Sequence, residues 1–221
     1  MKLTVSMITL NEEGAVGKVI QDIRRVAPDA EILLVDSSKD RTPEIAESLG
    51  ARVVRQFPPQ GYGPAMDRAV REAHGDVVIT LDCDDTYPVE EIPHLVQLVE
   101  QGYDLVNTTR VWRRPKAMPF ANFLANRAFA LAARIIHGIK TTDLHSGMRA
   151  YRKSMIDAVQ WEPRGPALPV EMLLVPYRRG FKVLDVNIDY RERIGTTTLH
   201  RWSSTVWTFK RIWRARQVKK Q

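Results

Sequence analysis

The segment DVVITLDCDDTYPVEEIP, residues 76–93, indicates how the chain folds. Its apolar, β-branched beginning predicts a buried strand, and Pro88 predicts the start of a helix because proline is tolerated in a first helical turn. Asp82, Asp84 and Asp85 are crowded at the point where the strand ends. The segment therefore predicts a strand that passes through an acidic turn into a helix.

The same strand-to-helix order repeats along the first half of the chain. Strands are predicted over 2–10, 31–36, 51–57, 76–82 and 103–109, and helices over 14–27, 42–49, 62–74 and 89–101. Apolar strands that alternate with helices predict an α/β fold with a mostly parallel sheet and helices on both faces. Ligands of such sheets bind beyond the carboxyl ends of the strands, a rim that would hold Asn11, Glu12, Asp36, Asp82 and Asp84.

The second half has a different pattern. A largely apolar helix is predicted over 117–139, a loop entering a helix over 142–156, a helix ending at a glycine over 166–180, and a strand running into a basic loop over 181–195. We expect one domain over residues 1–200 and a basic amphipathic helix or tail over 201–221.

The composition limits the classes of binding partner and the cellular compartment that we expect for this chain. A net charge of +7 and a pI near 9.7 favour an anionic partner, either nucleic acid, a phosphorylated ligand or a membrane surface. A single cysteine excludes an internal disulfide and indicates a reducing, cytoplasmic compartment. No stretch has the ~18–20 uncharged apolar residues of a membrane-spanning helix, so we expect none.

The acidic turn is the strongest chemical signal. Two carboxylates ~4 Å apart repel by about 1 kcal/mol in water and by several times more in a partly dry cleft, so a cation is expected between them. Hard carboxylate oxygens suit Mg²⁺ or Mn²⁺, with further ligands from water and substrate phosphates. The alternative is a solvated turn whose acids cap the following helix. Gly61 and Gly63, before the third helix, are compatible with either a ligand-binding loop or a plain turn.

Six segments in order resemble one known family. They are ITLNEE (8–13), LLVDSSKDRT (33–42), GYGPAMDRAVREAHGD (61–76), LDCDDTYPVEEIP (81–93), DLHSGMRAYRKSMI (143–156) and YRERIGTTTL (190–199). Over residues 3–199 the chain resembles the inverting family 2 glycosyltransferases of GT-A fold, in the branch similar to dolichol-phosphate mannose synthase. It departs from the family motifs at Ile8, Leu10, Ser37, Arg68 and Thr198.

The resemblance implies a Rossmann-like GT-A fold and roles for particular residues. Asp82 and Asp84 would hold Mg²⁺ or Mn²⁺, with Asp84 among the catalytic residues. The resemblance implies a GDP- or UDP-linked sugar donor in contact with Leu10, Glu12, Val35, Asp36, Asp82, Cys83 and Asp84. Phosphate groups of donor and acceptor would be bound by Arg110, Arg127, Arg191 and Arg193. Arg110 and Asp143 are also counted among the catalytic residues, and Asp143 is the carboxylate nominated near the acceptor.

Two apolar stripes suggest a lipid acceptor. Phe120, Leu124, Leu131 and Ile135 share one face of the predicted 117–139 helix, with Arg127 and Arg134 at its margin, and Trp202, Val206, Phe209 and Trp213 form a stripe in the basic tail. Tryptophan among basic residues is typical of helices that lie in a membrane interface. The alternative is that both stripes pack on the sheet domain. We expect truncation near residue 200 to release the enzyme from vesicles yet preserve donor binding.

These observations predict a metal-dependent hexosyltransferase that transfers a sugar to a polyprenyl phosphate, dolichyl or undecaprenyl, as a peripheral protein on the inner face of the membrane. A membrane-anchor subunit could share the attachment. Alternatives are a GT-A enzyme with a soluble acceptor, a sugar-phosphate nucleotidyltransferase and a noncatalytic partner subunit. A nucleic-acid-binding module would explain the charge, but no such motif is present, so we expect no nucleic acid partner.

Overall fold

A seven-stranded sheet lies at the centre of the computed structural model, which describes residues 1–195 and 201–218, apart from the side chains of 201–203. The strands are β1 (Leu3–Thr9), β2 (Glu31–Asp36), β3 (Arg52–Arg55), β4 (Val77–Thr80), β5 (Leu105–Thr109), β6 (Arg149–Arg152) and β7 (Val183–Asn187). Their order is β3-β2-β1-β4-β6-β5-β7. Only β6 pairs antiparallel, with β4 and β5, among these strands. The predicted mostly parallel sheet is confirmed.

Helices cover both faces of this sheet. They are α1 (Val16–Val26), α2 (Thr42–Ser48), α3 (Tyr62–Arg71), α4 (Ile92–Glu100), α5 (Phe120–His137), α6 (Lys153–Ala158), α7 (Leu168–Arg179) and α8 (Arg201–Arg214). Successive side chains of a strand point to opposite faces. Val77 and Ile79 accordingly join a core with residues of α1, α2 and α4, whereas Val78 joins a second core with residues of α3 and α5–α8.

One strand lies where the sequence predicted only a loop. Residues Arg149–Arg152 form β6, a short segment with an arginine at each end that carries no apolar alternation. Arg149 is buried, and its guanidinium donates to Asn107 Oδ1 at 2.7 Å and to the Leu144 carbonyl at 2.9 Å. Pairing with β4 and β5 and these buried hydrogen bonds stabilise the strand, so tertiary contacts override the local pattern.

The last helix is packed against the domain. α8 contacts α7 and α5, and Thr208, Arg211 and Ile212 on it are buried. The Arg211 guanidinium forms an ion pair with Glu171 of α7. The boundary at residue 200 stays a prediction, but α8 contributes to the same core as α5 and α7.

The sheet register brings three strand ends to one rim. Thr9 at the end of β1 lies opposite Asp36 at the end of β2, and Ser6 of β1 lies opposite Thr80 at the end of β4. Asp82 follows Thr80 by two residues. The acidic turn after β4 is thereby placed beside the segment that follows β1.

Candidate active site

A cavity of about 180 Å³ opens at this rim. Six of the predicted site residues line it: Leu10, Glu12, Asp82, Cys83, Asp84 and Arg193. It is closed on the other side by Pro59, Gly61 and Tyr62, where α3 begins, and by Ser37 after β2. The structure thus brings the acidic turn, the segment after β1 and the late basic loop to one place.

The acidic turn separates its three carboxylates. Asp84 Oδ1 accepts hydrogen bonds from the Thr86 backbone N–H at 3.1 Å and from Thr86 Oγ1 at 2.6 Å, which leaves Oδ2 for other partners. Asp85 has a φ of 64° and pairs instead with Lys18 of α1 at 2.8 Å. No side chain caps the helices that follow this turn. Asp82 and Asp84 therefore belong to the cavity, and the helix-capping alternative is wrong.

Asp82 lies against a glycine that leaves room for its carboxylate. A Cβ atom added to Gly147 would meet Asp82 Oδ2 at 2.7 Å, closer than real Cβ contacts. The Gly147 backbone N–H donates to the Tyr87 hydroxyl at 2.6 Å, which fixes the position of this glycine. Burial and the neighbouring Asp84 raise the pKa of Asp82 to about 6. The carboxylate is thus buried beside a like charge, and both conditions disfavour its ionised form.

Arg193 connects two carboxylates of the cavity. Its Nη2 lies 2.8 Å from Glu12 Oε1, and its Nη1 lies 3.0 Å from Asp84 Oδ2. Burial raises the pKa of Glu12 to about 7; Arg193 opposes that rise and the charges of Asp84 and Asp82 add to it. The Arg193 guanidinium thus compensates the charges of Glu12 and Asp84 in the structure.

Two predicted donor-binding residues lie beneath the cavity lining. Val35 is fully buried in a small core with Ala65 and Ala69. Asp36 is fully buried as well, and its carboxylate accepts hydrogen bonds from Thr9 Oγ1 at 2.7 Å and Ser38 Oγ at 2.6 Å and pairs with Arg55. Asp36 therefore stabilises the rim, and its contact with the donor stays a prediction.

Arg110 and Asp143 form a buried pair outside the cavity lining. Arg110 Nε lies 2.7 Å from Asp143 Oδ2, and Nη2 lies 3.1 Å from Oδ1. The guanidinium also lies over the rings of Tyr87 and Tyr190, 5.8 Å and 5.1 Å from their centroids. Burial opposes ionisation of Asp143, but Arg110 holds the pKa of this carboxyl below its usual value. The structure thus pairs two residues that the sequence assigned to donor phosphate and acceptor, and those roles stay predictions.

The remaining predicted residues are more exposed. Arg191 pairs with Glu90 Oε2 at 2.9 Å, and Arg127 is exposed on α5, with its Nη1 3.5 Å from the Val111 carbonyl oxygen. Neither lines the cavity. Thr198, the side chain of Trp202, and Lys219 and Lys220 lie outside the described residues.

The sequence did not single out Tyr62 and Ser37 as cavity residues. Tyr62 stands between the two glycines that were noticed, at the first position of α3, so the Gly-Tyr-Gly pattern was the available signal. Ser37 follows the strand-end carboxylate Asp36 directly, and its hydroxyl donates to the Gln56 carbonyl at 2.8 Å. Both side chains reach the cavity only because α3 and β2 meet there.

Comparison with known proteins explains this arrangement. The model of the family described as "Glycosyl transferase family 2" matches residues 4–160. The chain belongs to glycosyl transferase family 2. The fold agrees, since the crystal structure of glucosyl-3-phosphoglycerate synthase from Mycobacterium tuberculosis with phosphoglyceric acid superposes with a TM-score of 0.81 at 21% identity. That match covers 100% of this chain and 81% of the synthase chain.

Two curated proteins are similar to this chain in sequence. Dolichyl-phosphate hexose transferase from Haloferax volcanii is 44% identical, over 89% of this chain and 86% of that protein. Dolichol-phosphate mannosyltransferase from Pyrococcus furiosus is 31% identical, over 79% of this chain and 53% of that protein. The chain thus spans most of the first relative and about half of the second. It is a glycosyltransferase of the GT-A fold.

The rim contains few protein side chains that could coordinate a metal ion. Within the described residues, no three His, Cys, Asp or Glu side chains form a ready cage. Mg²⁺ keeps several waters and is usually bound through one or two carboxylates plus substrate phosphates. Asp82 and Asp84 Oδ2 fit that pattern, because both face the cavity and a guanidinium already lies against Asp84. They are the two residues that could hold a divalent cation.

We expect Gly147→Ala to impair turnover about 10- to 100-fold, because the added methyl group displaces the Asp82 carboxylate and misplacements near 1 Å cost up to this much. Steady-state kinetics with the full chain would measure the change. Gly14→Ala is the control, since a Cβ there meets no atom within 4 Å. Equal activity of the two variants would show that the position of Asp82 is not critical.

Proposed function

We propose that this glycosyltransferase transfers a hexose from a nucleotide-diphosphate sugar to a polyprenyl phosphate, as a peripheral enzyme on the cytoplasmic face of the membrane. The observation that carries this proposal is an exposed apolar surface on α5 and α8, next to two basic segments. A dolichyl or undecaprenyl chain needs such a surface, whereas a small water-soluble acceptor does not.

The α5/α8 surface consists of side chains that are each more than half exposed: Phe120, Leu124, Leu131 and Ile135 of α5, and Val206, Phe209 and Trp213 of α8. The opposite faces are buried, with Phe129 and Ala133 on α5 and Ile212 on α8 in the core. The two helices touch, and the rings of Phe129 and Phe209 lie 5.1 Å apart. Several exposed apolar side chains on two helices in contact are typical of an interaction site.

Charge around the α5/α8 surface favours an anionic membrane. Residues 105–142 contain no acid and, besides the buried Arg110, carry the exposed bases Arg113, Arg114, Lys116, Arg127, Arg134 and Lys140. Residues 201–221 contain no acid and seven bases, of which Arg211 is buried and paired with Glu171. Each Lys or Arg near an anionic surface contributes roughly 1 kcal/mol, within a Debye length of about 8 Å. No helix in the described part of the chain is long and apolar enough to span a bilayer. Interfacial attachment is the mode that fits, and an anchor subunit stays a prediction.

The donor would lie in the cavity. Asp82 and Asp84 would hold Mg²⁺ or Mn²⁺, which supplies positive charge to the diphosphate leaving group when bound. Structures of the Mycobacterium tuberculosis synthase with Mn²⁺ and UDP, at 22% identity, support the same use of this fold. Tyr62, Ser37 and Leu10 line the same cavity as the carboxylates and would contact the nucleoside.

The acceptor needs no strong base. A phosphate monoester has a second pKa near 6 and is largely a dianion at pH 7. An oxygen of that phosphate would attack the anomeric carbon while the bond to the donor diphosphate breaks, which inverts the configuration and releases the nucleoside diphosphate. Asp143, bound bidentately by Arg110, is consistent with a positioning role rather than proton abstraction. Positioning and charge compensation would supply the rate.

The names of relatives agree with a lipid-linked acceptor. Besides the two archaeal dolichyl-linked enzymes, undecaprenyl-phosphate 4-deoxy-4-formamido-L-arabinose transferase from Pseudomonas fluorescens is 36% identical over 62% of this chain and 41% of that protein. A lipid phosphate thus recurs in the names of all three relatives. The three names differ in the sugar and contain no nucleotide base, so they support the lipid phosphate acceptor and neither a particular sugar nor a base.

A transfer assay would test the proposed function. The full chain would be incubated with Mn²⁺, radiolabelled UDP- or GDP-hexoses, and either a detergent-dispersed polyprenyl phosphate or 3-phosphoglycerate. We expect label in the lipid phase with one donor and none on the soluble acceptor. Transfer to 3-phosphoglycerate alone would establish the soluble-acceptor alternative.

We expect Ile135→Glu to weaken binding to anionic vesicles at least several-fold, because Ile135, at 75%, is the most exposed apolar side chain of the α5/α8 surface. Co-sedimentation with phosphatidylglycerol vesicles would measure it. Phe57→Glu is the control, since Phe57 is 56% exposed beyond β3, an edge strand remote in the sheet order from β5. Salt should weaken vesicle binding of the unmodified chain without abolishing it. An equal loss of vesicle binding in Ile135→Glu and Phe57→Glu would refute a specific membrane-binding surface.

A further inference from the structure

The Arg193 guanidinium contacts carboxylates of the cavity that a divalent cation would otherwise neutralise. It bridges Glu12, on the segment after β1, and Asp84, on the turn after β4, at 2.8 Å and 3.0 Å. Both carboxylates line the cavity, as Asp82 does. One side chain therefore holds together two rim segments that would otherwise present like charges to each other.

The backbone around Arg193 is docked on the same acidic turn. The Arg191 N–H donates to the Thr86 carbonyl at 2.9 Å, and the Ile194 N–H donates to the Asp84 carbonyl at 3.0 Å. Arg193 is thus anchored on both sides along the chain, while its side chain keeps 31% of its surface exposed. The guanidinium can turn from the carboxylates without release of the loop.

We propose that Arg193 is a resident counter-ion that competes with the divalent cation for Asp84 and yields this carboxylate when a nucleotide diphosphate binds. The inference rests on the proposed metal site and goes beyond it, since it assigns a regulation of that site to one residue. Metal and nucleotide then bind cooperatively, and the enzyme without donor binds metal weakly.

The charges give the reason for this coupling. Glu12, Asp82 and Asp84 carry three formal negative charges when ionised. The Arg193 guanidinium contributes one positive charge beside them. A divalent cation at Asp84 Oδ2 would lie beside the guanidinium that already contacts this atom, and the two cations repel. A diphosphate removes the conflict, because guanidinium groups bind phosphate oxygens bidentately. By linkage, nucleotide must then tighten metal binding as much as metal tightens nucleotide binding.

The test is a Mn²⁺ titration of the full chain without nucleotide, with free Mn²⁺ followed by electron paramagnetic resonance. We expect Arg193→Gln and Arg193→Ala to bind Mn²⁺ more tightly than the unmodified chain, by a factor within the range of about 5 to 150 that is typical of coupled sites. Addition of UDP, or of GDP, should tighten Mn²⁺ binding of the unmodified chain more than that of the variants.

Arg191→Gln is the matched control. It removes the same charge from the same loop, but Arg191 pairs with Glu90 Oε2 at 2.9 Å rather than with a cavity carboxylate. We expect its Mn²⁺ affinity to stay close to that of the unmodified chain. Unchanged affinity in both Arg193 variants, or an equal gain in Arg191→Gln, would overturn the inference.

Thermal melting would verify that each variant is folded. If Arg193→Ala destabilises the loop, Arg193→Gln still provides a hydrogen-bond donor for either carboxylate. The titration contains neither sugar nor lipid. If the enzyme proves not to use a polyprenyl phosphate acceptor, the titration result therefore still stands. If sugar transfer is normal but the Arg193 variants bind Mn²⁺ no more tightly, only the counter-ion role is refuted.

Discussion

Asp84→Asn is expected to lower turnover by about 10²–10³-fold, equivalent to about 3–4 kcal/mol of transition-state stabilisation, the usual cost of losing one electrostatic group at a reacting centre. Asparagine retains an oxygen that can accept both hydrogen bonds from Thr86, so the turn should keep its shape. What disappears is the charge at Oδ2, the atom now paired with Arg193. The metal would then be held by Asp82 alone, against a diphosphate whose charge is under-compensated.

Steady-state rates with and without EDTA would measure this effect. Asp85→Asn is the matched control, because Asp85 is the next residue, pairs with Lys18 outside the cavity and has a left-handed φ of 64° that asparagine tolerates. We expect the control to retain nearly full activity. Turnover by Asp84→Asn that matches the unmodified chain and resists EDTA would remove the metal role of this turn.

Arg211→Ala is expected to destabilise the protein by about 3–5 kcal/mol, the cost of leaving one member of a buried ion pair without its partner. Arg211 is 1% exposed and pairs with Glu171 of α7, which is also buried. Its guanidinium further donates to the carbonyl oxygens of Glu162, Arg164 and Pro166 at 2.8–3.2 Å. Loss of the side chain would leave the Glu171 carboxylate and these three carbonyl oxygens without their hydrogen-bond donor.

Thermal denaturation would detect this loss, since 1 kcal/mol shifts the melting temperature by about 2–4 °C for a chain of this size. Arg214→Ala is the control, because Arg214 is half exposed, lies 3.9 Å from Glu162 and should change stability by about 0.5 kcal/mol or less. The double variant Glu171→Gln, Arg211→Met should recover part of the stability, because no unpaired charge remains buried. Arg211→Ala melting like Arg214→Ala would contradict the assigned burial.

The Arg211 contacts also change the expectation for a truncated chain. The sequence predicted that removal of residues 201–221 would release the enzyme from vesicles and preserve donor binding. The structure instead makes α8 a packing element with an exposed apolar face, so truncation should strand Glu171 and destabilise the domain. Substitutions on the α5/α8 surface that leave α8 in place, such as Ile135→Glu of α5, are therefore the appropriate test of membrane binding.

The sequence by itself determined the parallel strands of the sheet, the rim and the family, but not the antiparallel strand β6. Strand β4, the turn with Asp82 and Asp84, and the helix after Pro88 are each coded by residues adjacent along the chain, so local pattern was sufficient. The exposed stripes of α5 and α8 were also readable, since helical periodicity alone places Leu131 and Ile135 on one face.

Only the tertiary structure decided which charges meet. Arg193 lies 181 residues from Glu12, Arg110 lies 33 from Asp143, and Arg211 lies 40 from Glu171, so no local pattern links these partners. An arginine in a basic loop, one at a strand end and one in a basic tail are equivalent in sequence. Burial separates them: the fold withdraws Arg110 and Arg211 from water beside a carboxylate and leaves Arg193 at the cavity, because each pairing depends on how strands and helices far apart in the chain come together.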